Sequence, residues 1–167
     1  MDLEEELEAL GRASSGLRSA IYDLRREKER PFLESVESLV ELSQRATPER
    51  EIRLVAEERL VKDLSGRASV ELLRILQEAL ANVRRHSAAR SVEVRLWTDD
   101  EAILLEVADD GRGFDPGTAS AGVGLSAMRE RVEELGGEIE VSSRSGEGTK
   151  VTVKVPLEGD TPNPRRL

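Results

Sequence analysis

Hydrophobic positions along this chain change period repeatedly, and each change marks an element. Leu3, Leu7, Leu10, Leu17, Ile21 and Leu24 fall at alternating steps of four and three, with Ser14 in the one polar slot. That 3.5-residue repeat is the seam of a coiled coil or a helical bundle. A helix packed on its own domain is the bland account. A stripe only two positions wide favours dimerisation instead, because packing on a globular core uses a broader face. Charged residues 25–30 (RREKER) then run into Pro31, which a helix interior does not tolerate. The reading is therefore a dimerisation helix and linker over 1–30, a compact domain over 31–156 and a mobile tail over 157–167.

Within the compact part the periods alternate between helix and strand. Residues 32–45 repeat with helical spacing until Thr47-Pro48 breaks them. Residues 50–57 (REIRLVAE) alternate as a strand does. A long helix is predicted over 69–87, with Ser69 as its N-cap and Leu72, Leu73, Leu76, Leu80 and Val83 on one arc. Strands over 91–98 and 102–108 are joined through Asp99-Asp100-Glu101, a hairpin signal. A glycine-rich stretch spans 110–124. It is followed by a helix over 125–135 that Gly136-Gly137 terminates. Strands over 138–143 and 149–155 close the domain around Ser145-Gly146-Glu147-Gly148. This order predicts an α/β fold, one sheet with helices covering one face.

Composition narrows the chemistry. Of 167 residues 38% are apolar, enough to build a core, and the only aromatics are Tyr22, Phe32, Trp97 and Phe114, so that core is aliphatic. A net charge of −9 leaves no basic stripe for nucleic acid. The chain has no cysteine, which removes disulfides, thiolate catalysis and cysteine-ligated zinc. The start, MDLEEELEAL, is acidic where a signal peptide is basic and then apolar, and no apolar run approaches the ~20 residues of a membrane span. The expectation is a cytoplasmic protein, or the cytoplasmic end of a larger sensor.

Four polar motifs then stand out. On the 69–87 helix Glu78, Asn82 and His86 recur every four residues with Arg85 beside them. Glu71 and Arg74 continue the stripe, opposite Leu73, Leu76 and Leu80. A solvated face would look the same. A carboxylate and an amide oxygen one turn apart can also hold Mg²⁺, which takes few protein ligands, with Arg85 or His86 meeting phosphates. Asp109-Asp110-Gly111-Arg112-Gly113-Phe114 follows a strand; a carboxylate there can accept the exocyclic amine of adenine while glycines admit the base. A surface turn is the alternative. Gly122-Val123-Gly124-Leu125-Ser126-Ala127 matches a dinucleotide fingerprint only superficially, because a loop and not a strand precedes it. What survives is a glycine-rich loop opening a helix, whose free N–H groups can receive phosphate. Gly148-Thr149 leads into the final strand.

Taken together, QEALANVRRHS (77–87), DDGRGFD (109–115), GVGLSAMRERVEELGG (122–137) and GTKVTVKVP (148–156) resemble the four nucleotide-binding boxes of sensor histidine kinases. The wider ATPase superfamily of that fold includes gyrase B, MutL and the ninety-kilodalton heat-shock chaperones. GLSAMRERVEELGG and RSAIYDLRREKERPFLESVESL (18–39) resemble the kinases that partner NarL/LuxR-type response regulators. The resemblance implies a Bergerat-type α/β sandwich that binds ATP and Mg²⁺. By position, Asn82 would ligate the metal and Glu78 would occupy the metal or catalytic position. Arg85 would lie near the phosphates and His86 beside it. Asp109 would read adenine, with Gly111, Gly113 and Phe114 shaping the base site. Gly122, Val123, Gly124 and Leu125 would begin a phosphate-facing lid, short enough for fast nucleotide exchange, and Thr149 would support the adenine network.

One departure limits the resemblance. The family phosphorylates a histidine on its first dimerisation helix, and the single histidine here is His86, inside the nucleotide motif. The expectation is a fragment carrying the second dimerisation helix and the catalytic domain. It would bind ATP without phosphorylating itself, and would act as a homodimer and with a response regulator. Two alternatives remain open at this point: a stand-alone anti-sigma-type serine kinase, and a dimerisation module without nucleotide activity.

Overall fold

In the computed structural model, described for residues 31–57, 66–99, 101–115 and 123–157, five strands form one mixed sheet covered on one face by three helices. The elements are α1 (Phe32–Ala46), β1 (Glu51–Ala56), α2 (Gly66–Asn82) continued by a π-helical turn (Val83–Ser87), β2 (Ser91–Thr98), β3 (Ala102–Asp109), α3 (Val123–Glu134), β4 (Glu138–Arg144) and β5 (Gly148–Pro156). The heptad helix expected over 1–30 lies outside the described residues.

The sheet order is β1-β2-β3-β5-β4. Only β1 and β2 run parallel, and α2 is the crossover such a pair requires. The register sets side chains in rows. Leu54, Val94, Val107, Val151 and Val141 share one row on the inner face, and Ala56, Leu96, Leu105, Val153 and Ile139 the next. The opposite face carries Arg53, Glu93, Arg95, Glu106, Thr152 and Lys154, tied by ion pairs such as Arg53–Glu93 at 3.0 Å. Alternation with period 2 thus separates a dry face from a wet one.

Three helices cover the dry face in the order α1 near β1, α2 near β3 and α3 near β4 and β5, with α2 between the other two. Each supplies apolar groups at helical spacing: Phe32, Val36, Leu39 and Val40 from α1; Leu72, Ile75, Leu76 and Ala79 from α2; Met128 and Val132 from α3. Phe32 is the one aromatic side chain in that core. Gln44 protects the edge of β1. Its amide oxygen accepts the Ile52 N–H at 2.8 Å and its amide nitrogen donates to the Arg50 carbonyl, occupying groups that would otherwise template another strand.

Two helix starts differ from the sequence reading by more than a residue. Ser69 is not an N-cap: α2 starts at Gly66, whose φ of +71° makes the turn, and the Ser69 hydroxyl donates back to the Gly66 carbonyl at 2.8 Å. The helix expected from 125 starts at Val123, so Val123 and Gly124 belong to its first turn and not to a loop before it. Its end is as expected. Gly136 adopts φ +71°, its N–H bonds the Glu133 carbonyl and that of Gly137 bonds the Val132 carbonyl, the paired bonds of a Schellman stop.

Candidate functional site at one end of the sheet

The third inner row departs from the other two. It reads Ile52, Val92, Asp109, Thr149 and Ser143, so three of its five positions are polar although they face the helices. This row lies at the end of the sheet where β3 finishes and β5 begins.

The remaining motifs come to the same end. The C-terminus of α2 passes through Val83–Ser87 and three further residues into Ser91, and β2 starts beside Asp109 through the Val92–Asp109 pair. Asp110 fixes that junction: its Oδ1 accepts the N–H groups of Arg90 at 2.9 Å and Ser91 at 3.0 Å. Those bonds, Ser91 first, hold its exposed carboxyl below the ordinary range. The helix α3 runs back along α2, because Arg67 meets Glu134 at 3.0 Å and Glu71 meets Arg131 at 2.9 Å. As α2 ascends, α3 descends in number, and its first turn therefore stands toward the Glu78–Asn82 end.

Glu78 and Asn82 are half-buried, one turn apart on α2. Among the described residues neither side chain takes a hydrogen bond or an ion pair. Arg85 and His86 are exposed on the π turn, which ends at Ala88 in a left-handed conformation (φ +50°). Such π turns widen a helix and recur at functional sites. Glu71, placed by sequence on the same stripe, is buried and bonded to Arg74 and Arg131. In the N-terminal half α3 covers the stripe at Glu71; among the described residues the half holding Glu78 and Asn82 stays open.

Asp109 is half-buried with its Oδ1 accepting the Gly111 N–H at 2.9 Å. Burial pushes its carboxyl above the ordinary range, against the Gly111 bond and the charge of Arg50, with Asp110 adding repulsion. A carboxylate offers about four lone-pair positions, so capacity remains for an external donor. Gly113 adopts φ +60°, and a Cβ there would stand 2.0 Å from the Arg144 carbonyl oxygen, so the loop rests on the β4–β5 hairpin. Gly111 and Phe114 are half-buried beside it, and Thr149 pairs with Asp109 across β3 and β5. Leu125 packs against the core, and Gly122 lies outside the described residues with most of the segment before it.

Sequence reasoning missed Ser143. Its hydroxyl accepts the Phe114 N–H at 2.8 Å, donates to the Gly148 carbonyl at 3.1 Å and meets the Thr149 hydroxyl at 2.8 Å. One buried side chain thus joins the glycine loop, the β4–β5 turn and the Asp109 row. The signal that marks it is a serine at an inward position, after Ile139 and Val141. Ser143→Ala is expected to cost about 1–3 kcal/mol, the penalty for orphaning buried partners, and thermal unfolding reads it. Arg50, also missed, is buried with its Nε donating to the Ala89 carbonyl at 2.7 Å.

A separate cavity of about 20 Å³ lies on the α1 side of α2, lined by Leu39, Ser43, Thr47, Arg50, Gln77 and Arg84 among others. It has room for a water molecule beside the buried Arg84 Nε, which lacks a partner among the described residues, and not for a nucleotide.

Residues 67–159 match the family model described as "Histidine kinase-, DNA gyrase B-, and HSP90-like ATPase". The signal transduction histidine-protein kinase/phosphatase UhpB of Salmonella typhimurium is 42% identical over 93 residues, 56% of this chain and 18% of that protein. The sensor protein VraS of Staphylococcus saprophyticus is 31% identical over 137 residues, 81% of this chain and 38% of that protein. The chain therefore spans less than two-fifths of the length of either relative. Among solved structures, the histidine kinase domain of the Erythrobacter litoralis EL346 blue-light activated histidine kinase superposes with a TM-score of 0.66 at 21% identity. That superposition covers 76% of this chain and 61% of that one, and it supports the fold. Among the described residues no helix is long and apolar enough to cross a membrane.

Proposed function

The chain belongs to the histidine kinase-, DNA gyrase B- and HSP90-like ATPase family, and from that membership we propose that it is the ATP-binding catalytic part of a sensor histidine kinase. It holds Mg-ATP as phosphoryl donor for a histidine outside this sequence, and the phosphoryl group passes on to an aspartate of a NarL/LuxR-type response regulator. The protein is cytoplasmic and works as a homodimer joined through residues 1–30. One relative named above is a signal transduction histidine-protein kinase/phosphatase and the other a sensor protein, which favours this reading over an anti-sigma-type serine kinase.

The observation that carries it is one arrangement: the inner row Asp109-Thr149-Ser143 ends where the open half of α2 and the first turn of α3 also end. Asp109 accepts the adenine amine while Gly111, Gly113 and Phe114 border the base and Thr149 supports it. The first turn of α3, with Val123, Gly124 and Leu125, faces the phosphates with its N–H groups, and Gly122 just before it shares that role. Arg85 and His86 add cationic or hydrogen-bonding reach on the α2 side.

Glu78 and Asn82 suit Mg²⁺ in donor type, oxygen only, and in having no other described partner. Among the described residues no three His, Cys, Asp or Glu side chains cluster, so phosphate and water would complete the shell. The ion would draw charge from the β- and γ-phosphates. Glu78 orients at the metal edge or takes the proton of the attacking group.

Titration with a fluorescent ATP analogue, with and without Mg²⁺, tests the reading. Saturable binding displaced by ATP is expected. Asn82→Ala should keep binding in EDTA and lose roughly tenfold of the Mg²⁺-dependent gain, about 1.4 kcal/mol. A protein that binds the analogue under neither condition refutes the assignment.

A further inference from the structure

The covered half of the α2 stripe has no role in the site just proposed, yet it holds the most enclosed ion pairs of the described residues. The Glu71 side chain is only 12% exposed, and both of its oxygens are engaged: Oε1 with Arg74 at 3.2 Å and Oε2 with Arg131 of α3 at 2.9 Å. One turn toward the start of α2, Arg67 meets Glu134 at 3.0 Å, with side chains 64% and 59% exposed. These are two rungs between antiparallel helices. A step of four residues up α2 matches a step of three back along α3. Continued for two more turns, the same ladder brings Glu78 level with the first turn of α3.

The core around this seam is apolar: Ile75, Met128 and Val132 are fully buried. Apolar burial is non-directional, and it resists a helix sliding along its axis only through the interdigitation of side chains. A charge-assisted hydrogen bond adds a sharper constraint, because its strength depends on distance and angle. The enclosed rung at Glu71 therefore bears on how far along α2 the helix α3 sits; the exposed rung is screened and contributes little.

We propose that Glu71 is a positioning residue for the triphosphate: its bond to Arg131 sets the axial register of α3 on α2, and with it the spacing between the first turn of α3 and the Glu78–Asn82 turn. This rests on the nucleotide reading above. A slip of one residue moves the start of α3 by about 1.5 Å. Misplacements near 1 Å are enough to lose closely fitted contacts. The adenine side of the site, built on β3 and β5, does not depend on this seam.

The test uses the full chain with Glu71→Gln, Arg131→Gln, the double variant and Arg67→Gln as the exposed-rung control. Affinities for Mg-ATP and for adenosine are measured by displacement of one fluorescent analogue, and amide exchange is measured without nucleotide. Glu71→Gln and Arg131→Gln are each expected to weaken ATP roughly tenfold, the double variant no more than either, with adenosine and Arg67→Gln unchanged. Exchange in residues 125–131 should rise in the same variants while β3 and β5 keep theirs. Arg131→Gln removes the same bond from its half-exposed side, so it carries the test if Glu71→Gln folds poorly. Equal loss of ATP and adenosine would reduce Glu71 to general stability and overturn the proposal, as would unchanged ATP affinity. An unmutated chain that binds no ATP overturns the nucleotide reading, and the exchange measurement then decides the register of α3 alone.

Discussion

Asp109→Asn is expected to weaken ATP about ten- to a hundredfold while leaving the nucleotide-free protein at least as stable at pH 7. The affinity loss follows from the hydrogen bonding of the site. The Asp109 carboxylate is already oriented by the Gly111 N–H at 2.9 Å. An asparagine keeps its carbonyl oxygen toward that donor, which turns its NH₂ group toward the adenine amine. A charge-assisted acceptor is replaced by a donor facing a donor, a loss of about 1.5–3 kcal/mol. Stability runs the other way. Burial raises the carboxyl pKa in the folded state, so ionising it opposes folding. For a raised carboxyl the favourable contribution is complete below the ordinary value of about 4 and disappears as pH rises through the raised value. At pH 7 the wild type carries the full penalty and asparagine carries none; at pH 3 both side chains are neutral and the advantage vanishes. Calorimetric titration with ATP and melts of the free protein at the two pH values check both halves. Undiminished ATP affinity would move adenine away from Asp109, and a lower melting temperature at pH 7 would show that Asp109 serves the fold before it serves a ligand.

The opposition between site and fold at Asp109 explains what could be read from the sequence and what could not. The inner rows of the sheet were legible because valine and leucine alternate with charge in β2, β3 and β5, and a period of 2 has one physical cause. Asp109 was legible because it ends such a strand among glycines. Ser143 obeys the same alternation but needs partners on other elements, Phe114 in the glycine loop and Thr149 on β5, before its hydroxyl has a purpose. The burial of Glu71 was hidden for a related reason. Its helical phase correctly puts it on the stripe of Glu78, but phase cannot say which neighbouring side chain closes over it, and Arg131 of α3 does so. Local spacing thus located the motifs, and long-range register decided which of their side chains remain available. Ser69 shows the converse: it is a good capping residue in the abstract, displaced because Gly66 reaches a positive φ at no steric cost and starts the helix one turn earlier.

Gly148→Ala is expected to be strongly damaging, at about 2–5 kcal/mol. Two costs add there. Gly148 adopts φ +83°, where an L side chain is strained by about 1 kcal/mol or more. A Cβ would also stand 2.0 Å from the Asp109 carbonyl oxygen, 3.0 Å from its carbon and 3.1 Å from the Asp110 Cα. All three are backbone atoms held by the β3–β5 ladder, so no rotamer change relieves the overlap, and overpacking against fixed atoms adds about 1–3 kcal/mol. Gly146, two residues earlier, separates the terms. It has the same φ of +83° but nothing within 4 Å of its added Cβ, so Gly146→Ala carries the conformational cost alone. Thermal melts of the two variants should differ by roughly 5 °C or more, with Gly148→Ala the lower. Below its melting temperature Gly148→Ala should also bind ATP more weakly, because the atoms it displaces are the backbone of Asp109 itself. Equal melting temperatures for the two variants would show that the β3–β5 approach relaxes freely, and the close contact that aligns Asp109 with Thr149 would then hold nothing in place.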